Sequence, residues 1–154
     1  MPLPDIIAEG GIIPALSVDS KKQLLQELAA RAARITGRDP SEIFRTLSER
    51  ERLGSTGAGN GIAIPHGKLP RLDRVVGLFA RLDRAIDFDS IDGQPVDIVF
   101  ALLAPEGAGA DHLKALSRIA RLTRDPANVQ KLRAARDEAS LKLLLAASPA
   151  SNAA

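Results

Sequence analysis

Cysteine, tryptophan and tyrosine are absent from this 154-residue chain, which carries one methionine and four phenylalanines. Without cysteine there is no disulfide, no thiol nucleophile and no cysteine-ligated metal. The shortage of aromatics leaves little on which nucleic-acid bases could stack. A pI of 9.3 hints at basic character, but the net charge is only +2, because 21 Lys and Arg are interspersed with 19 Asp and Glu. Nucleic-acid binding is therefore not expected. Long apolar runs are missing too: Ile98–Pro105 falls far short of the ~20 residues a spanning helix needs, so membrane insertion is not expected. The start, Met1-Pro2-Leu3-Pro4-Asp5, lacks a basic region followed by an apolar core, so no signal peptide is read there. The expected location is the cytoplasm.

What is present suits one globular domain. Apolar residues make up 45% of the chain, and its length is enough to bury a proper core. Residues 1–147 are expected to form the domain, and the small, polar residues 148–154 a flexible tail.

Residues 3–10 read as a short helical turn and Ile12–Leu16 as a strand, which Pro14 places at a sheet edge because it cannot donate to a ladder. Ser20 and Gln23 form a capping-box pattern for a helix that Gly37 ends. Asp39-Pro40-Ser41-Glu42 starts a second helix by cap, proline and acid. In it, Ile43, Leu47 and Arg50 share one face, so Arg50 is directed inward. That placement fits either a packed arginine stem or a functional cation. Val75–Leu82 and Val96–Ala104 read as buried strands joined through an Asp92-Gly93 turn, with Ile86–Phe88 a short strand before it. Helices follow over 111–124, from Asp125-Pro126 onward, and over 137–147. Strands and helices mix without a regular βα repeat, so the fold class is α/β, a mixed β-sheet flanked by helices.

The chain is organised around residues 54–68. Gly54, Gly57, Gly59 and Gly61 crowd into eight positions, followed by Ile62-Ala63-Ile64 and then Pro65-His66-Gly67. Such a loop is able to turn N–H groups toward an anion, which makes Thr56, Gly57, Asn60 and Gly61 candidate phosphate contacts, with Thr56 and Asn60 open to the alternative of simply shaping the turn. His66 stands at the lip of the strand. The second histidine, His112, falls on the apolar arc with Leu113, Leu116, Ile119, Ala120 and Leu122. Lys114, Ser117, Arg118, Arg121 and Arg124 fill the polar arc. On that arc His112 is either a satisfied core residue or, in a helix first turn where anions settle, a phosphate partner.

Known motifs do not account for the loop. Five residues separate Gly61 from Gly67, and Leu69 follows Lys68, so it is not a P-loop. The dinucleotide fingerprint lacks its third glycine. Two histidines 46 positions apart, without cysteine or a His-Glu-x-x-His helix, make a weak metal site, so neither a metal nor a cofactor is expected. Phosphoryl transfer through phosphohistidine does fit. A neutral imidazole nitrogen is a competent nucleophile, and catalysis of phosphoryl transfer is mainly positioning and electrostatic stabilisation.

Arg50-Glu51-Arg52-Leu53-Gly54-Ser55-Thr56-Gly57 and Ile62-Ala63-Ile64-Pro65-His66-Gly67-Lys68-Leu69 closely resemble the phosphorylation-site signature of enzyme IIA proteins of the bacterial phosphotransferase system. The likeness is greatest to the nitrogen-related branch, beside the fructose/mannitol branch. It continues through 91–97 and 100–105 to His112-Leu113, and covers residues 12–145. It implies that His66 is the phosphorylated histidine, that His112 helps hold the phosphoryl group, and that Arg50 stands near it. It implies an HPr-like donor, and regulated transport or signalling proteins as targets. Two alternatives remain open: a sugar-specific IIA that passes phosphate to a separate IIB protein, and a binding module that transfers nothing.

Overall fold

A computed structural model describes residues 2–146. The expected tail at 148–154 lies outside them. In chain order the elements are α1 (Leu3–Ile6), β1 (Ile7–Leu16), α2 (Lys21–Thr36), α3 (Pro40–Arg52), β2 (Gly57–Gly59), β3 (Ile62–Ala63), β4 (His66–Leu69), β5 (Val76–Ile86), β6 (Val96–Pro105), α4 (Gly109–Arg124), α5 (Pro126–Ala134) and α6 (Glu138–Ala146).

The helix ends follow their sequence signals. Ser20 Oγ accepts the Gln23 N–H at 3.1 Å, and Gln23 Oε1 in turn accepts the Asp19 N–H at 2.7 Å, one residue earlier than in an ideal capping box. Gly37 closes α2 in the left-handed region at φ 73°. Asp39 and Asp125 cap α3 and α5, each followed by proline. The strands are longer than the sequence patterns suggest. β1 begins at Ile7, and Ile86 is the end of β5 rather than part of a separate strand.

The six strands form one mixed sheet in the order β1-β5-β6-β3-β2, with β4 also on β6. Among the described residues β1 pairs only with β5, which places Pro14 on an edge as expected. β5 and β6 run antiparallel; β3 and β4 both run parallel to β6. β3 and β4 thus act as one strand interrupted at Ile64-Pro65.

Both faces of the sheet are covered, so β6 reads as a continuous apolar run from Ile98 onward. Val99, Ala101 and Leu103 pack with Leu24, Leu28, Ile43 and Leu47 of α2 and α3. Ile98, Phe100, Leu102 and Ala104 pack with Leu3, Ala115, Ile119, Leu132 and Leu141 of α1, α4, α5 and α6. No helix among the described residues is long and apolar enough to cross a membrane.

Candidate functional site

β4 decides which way His66 looks. Side chains alternate along a strand. Leu69 lies in the core beneath α2 and α3, and a Cβ on Gly67 would stand 2.5 Å from Thr46 Cγ2 of α3. Gly67 and Leu69 therefore face α3, and His66 and Lys68 face α4. Glycine at 67 is what lets α3 lie so close behind the histidine.

His66 opens β4 at the interruption, where the backbone leaves the ladder. The Ile64 carbonyl turns to the imidazole and lies 2.7 Å from Nδ1. A carbonyl can only accept, so Nδ1 carries the proton and Nε2 keeps its lone pair. Pro65 has no N–H, and its carbonyl accepts the Leu102 N–H at 2.9 Å. The ring is thereby held from both sides of the break.

His112 comes to meet it from α4. Its N–H makes the first intrahelical bond, to the Ala108 carbonyl at 3.0 Å. The N–H groups of the preceding turn thus lie next to the site, and no side chain caps them. The two imidazoles are edge to face, with centroids 5.3 Å apart and planes at 71°. His112 is 7% exposed, and its Nε2 is buried without a hydrogen-bond partner. Burial lowers its proton affinity, and the nearby His66 and Lys68 lower it further. The two histidines are thus brought together, and His112 combines a core position with a free ring nitrogen.

The remaining candidates have contacts of their own. Arg50 lies one turn beyond Thr46 on α3. Its Nη1 donates to the Gly54 carbonyl at 2.9 Å, so it braces the loop. Thr56 is buried, with its hydroxyl on the Glu51 carboxylate. Gly57 pairs with Ala63, and a Cβ there would collide with Ser90. Asn60-Gly61, at φ 58° and 83°, is the tight turn of a β2–β3 hairpin. The glycine run therefore builds a hairpin instead of an open cradle. Asp92 accepts the Asn60 N–H at 3.0 Å, and Arg133 Nη2 donates to the Asn60 carbonyl at 2.6 Å while its Nε holds Asp97. The N–H groups of Asn60 and Gln94 hold the Asp92 carboxyl below its ordinary 3.8. Ile62 stands opposite Ile98 and His66 opposite Leu102. At ~3.3 Å per residue, the turn is at least about 13 Å along the sheet from His66.

The projection of α4 also needs correction. Leu113 is 65% exposed, whereas Arg118, on the expected polar arc, is 5% exposed. The buried line is His112, Ala115, Arg118, Ile119 and Leu122. Two residues at the site had no role from sequence. Lys68 was signalled by its two-residue spacing from His66. Glu51, 8% exposed, was signalled only by following Leu47 at i+4.

Residues 5–148 match the family described as phosphoenolpyruvate-dependent sugar phosphotransferase system, EIIA 2. A nitrogen regulatory protein from Bradyrhizobium diazoefficiens is 61% identical over 153 residues, 99% of this chain and 100% of that protein. A nitrogen regulatory protein from Escherichia coli is 45% identical over 79% of this chain and 76% of its own length. Among solved structures, nitrogen regulatory protein IIA-Ntr from Neisseria meningitidis superimposes with a TM-score of 0.87 at 33% identity, covering 92% of this chain and 97% of that one. The mannitol IIA of Escherichia coli shares the fold at a TM-score of 0.75 and 18% identity, over 89% of this chain and 96% of its own. The chain belongs to the enzyme IIA family of the phosphoenolpyruvate-dependent phosphotransferase system, in its nitrogen-regulatory branch.

Proposed function

We propose that this protein is a regulatory phosphocarrier that accepts a phosphoryl group on His66 from an HPr-like donor and controls partner proteins by its phosphorylation state. The observation that carries this reading is the Nδ1–H bond to the Ile64 carbonyl, which leaves Nε2 as the nucleophile beside His112. In the transfer, the Nε2 lone pair forms a bond to phosphorus as the bond from phosphorus to the donor breaks. The electron pair of that broken bond leaves with the donor. The positive charge that develops on the His66 ring is stabilised through Nδ1–H by the Ile64 carbonyl.

The incoming phosphoryl group carries negative charge on its oxygens. The donors this reading assigns to it are His112 Nε2 in its N–H form, the uncapped N–H groups of the first turn of α4 and the Lys68 ammonium. Arg50 acts by bracing the loop at Gly54. The HPr-like donor, the regulated targets and a cytoplasmic location belong to this same reading, which the names of the nitrogen-regulatory relatives support over sugar uptake.

The test is incubation with a reconstituted phosphoenolpyruvate-driven donor system, followed by mapping of acid-labile phosphate. Label on His66 that disappears in His66→Ala is expected. Absence of label on His66, or equal label in His66→Ala, would end the proposal.

A further inference from the structure

Behind the imidazole, a buried acid is tied to it through backbone. Glu51, at the end of α3, is 8% exposed and its carboxylate is fully engaged. Its Oε1 accepts the Thr56 N–H at 3.1 Å and lies 2.9 Å from Lys21 Nζ. Its Oε2 accepts the Thr56 hydroxyl. Lys21 in turn lies 4.5 Å over the ring of Phe88. A buried carboxylate is stable only when paired and hydrogen-bonded in this way, so Thr56 is fixed at its N–H and its side chain together.

Thr56 then fixes the segment that holds the histidine. Its carbonyl accepts the Ile64 N–H at 3.0 Å, and the Ile64 carbonyl accepts the His66 Nδ1–H at 2.7 Å. Ile64-Pro65 belongs to neither β3 nor β4, and Pro65 has no N–H to anchor. The break is tethered by the Pro65 carbonyl to Leu102 on one side and by Ile64 to Thr56 on the other. The second tether leads to Glu51.

We propose that Glu51 is a positioning residue for phosphoryl transfer. By clamping Thr56 it holds the Ile64 carbonyl where it selects the Nδ1–H tautomer of His66 and keeps Nε2 free. The catalytic part of this inference rests on His66 being the phosphoryl acceptor; the tautomer part does not.

The loop has a second support that Glu51 does not supply. Ser55 Oγ donates to the Phe88 carbonyl at 2.8 Å and accepts the Gly57 N–H at 3.0 Å. Variants at Glu51 are thereby left with a folded loop whose aim has changed.

The experiment compares wild type with Glu51→Ala, Glu51→Gln and Thr56→Val by imidazole nitrogen NMR of the unphosphorylated protein, at a pH where the His66 ring is neutral. Wild type is expected to show one protonated nitrogen, Nδ1. In Glu51→Ala the two nitrogen shifts should move toward each other as the tautomers mix, with smaller movements in Glu51→Gln and Thr56→Val. Phosphoryl acceptance should fall roughly tenfold in Glu51→Ala, the lower end of what outer hydrogen bonds to a functional imidazole carry. A folded Glu51→Ala with wild-type nitrogen shifts and wild-type transfer overturns the proposal. If Glu51→Ala does not fold, wild-type shifts in both Glu51→Gln and Thr56→Val overturn it. Should wild type take no phosphate on His66 while the shifts still respond to Glu51, the phosphocarrier reading fails and the tautomer control stands.

Discussion

The rings of His66 and His112 meet edge to face at 5.3 Å, one from a strand beginning at a break in the sheet and one from the first turn of a helix. A buried imidazole with an unpartnered nitrogen is costly for folding alone. Its placement against a second imidazole makes sense if the missing partner arrives with the phosphoryl group.

That relationship predicts that His112 serves transfer more than stability. In His112→Ala the rate of phosphorylation of His66 should fall by ~10² or more, the scale of losing one preorganised donor. Denaturant titration should show a loss of only about 1–2 kcal/mol, an ordinary value for a single substitution. A loss of several kcal/mol with transfer intact would return His112 to a purely structural role.

The acidity of His112 gives a second test. Burial, then His66 and Lys68, lower its pKa from the ordinary 6.5, so the folded protein holds the ring neutral where an unfolded chain takes up a proton. The unfolded state then binds more protons, and stability rises with pH through that window. Wild type should therefore lose stability as pH falls below 6.5 toward the folded-state pKa, and His112→Gln should lack this component. Parallel stability–pH curves for the two proteins would contradict it.

Phosphorylation should reverse the sign of that shift. A phosphoryl group on His66 places negative charge beside His112 and favours its protonated form. In an NMR titration the His112 pKa should be higher in the phosphorylated protein than in the free one. An unchanged or still lower value would mean that the phosphoryl group lies elsewhere.

Much of this arrangement was legible in the sequence, and the exceptions share a cause. Helix caps at Ser20, Asp39 and Asp125, the buried strands and the two histidines are announced by local pattern. Spacing on α3 correctly turned Arg50 off the solvent face, yet it carries no information about which face of the sheet α3 covers. The same limit hid Glu51, whose partners are Thr56, five residues on, and Lys21 in another helix. The loop was misjudged because Asn60-Gly61 serves a tight hairpin as well as it serves an anion cradle. Arg118 and Leu113 exchanged sides because α4 buries the line that crosses β6, and that line is set by packing.

The hairpin reading makes its own prediction. In Gly61→Ala a left-handed position gains a Cβ 2.2 Å from Arg133 Nη2, displacing the arginine from the Asn60 carbonyl. Stability should drop by about 1–3 kcal/mol, while phosphoryl transfer per folded molecule should stay near wild type. Lost transfer with full stability would restore the turn as a phosphate contact.

Gly67 offers a similar check on the backing of the site. Gly67→Ala should destabilise by about 1–3 kcal/mol through overpacking against Thr46 Cγ2. Thr46→Ser removes that methyl and should recover much of the loss in a double-mutant cycle. Additive effects would mean that α3 does not pack on Gly67 as described.

The central claim is that the phosphoryl group is carried on one particular nitrogen. Phosphorus–nitrogen correlation NMR of the phosphorylated, nitrogen-15-labelled protein measures this directly. The account predicts a single phosphohistidine at His66, bonded through Nε2, with the Nδ1 proton retained on the Ile64 carbonyl. Phosphate on Nδ1, or on any residue other than His66, would contradict it.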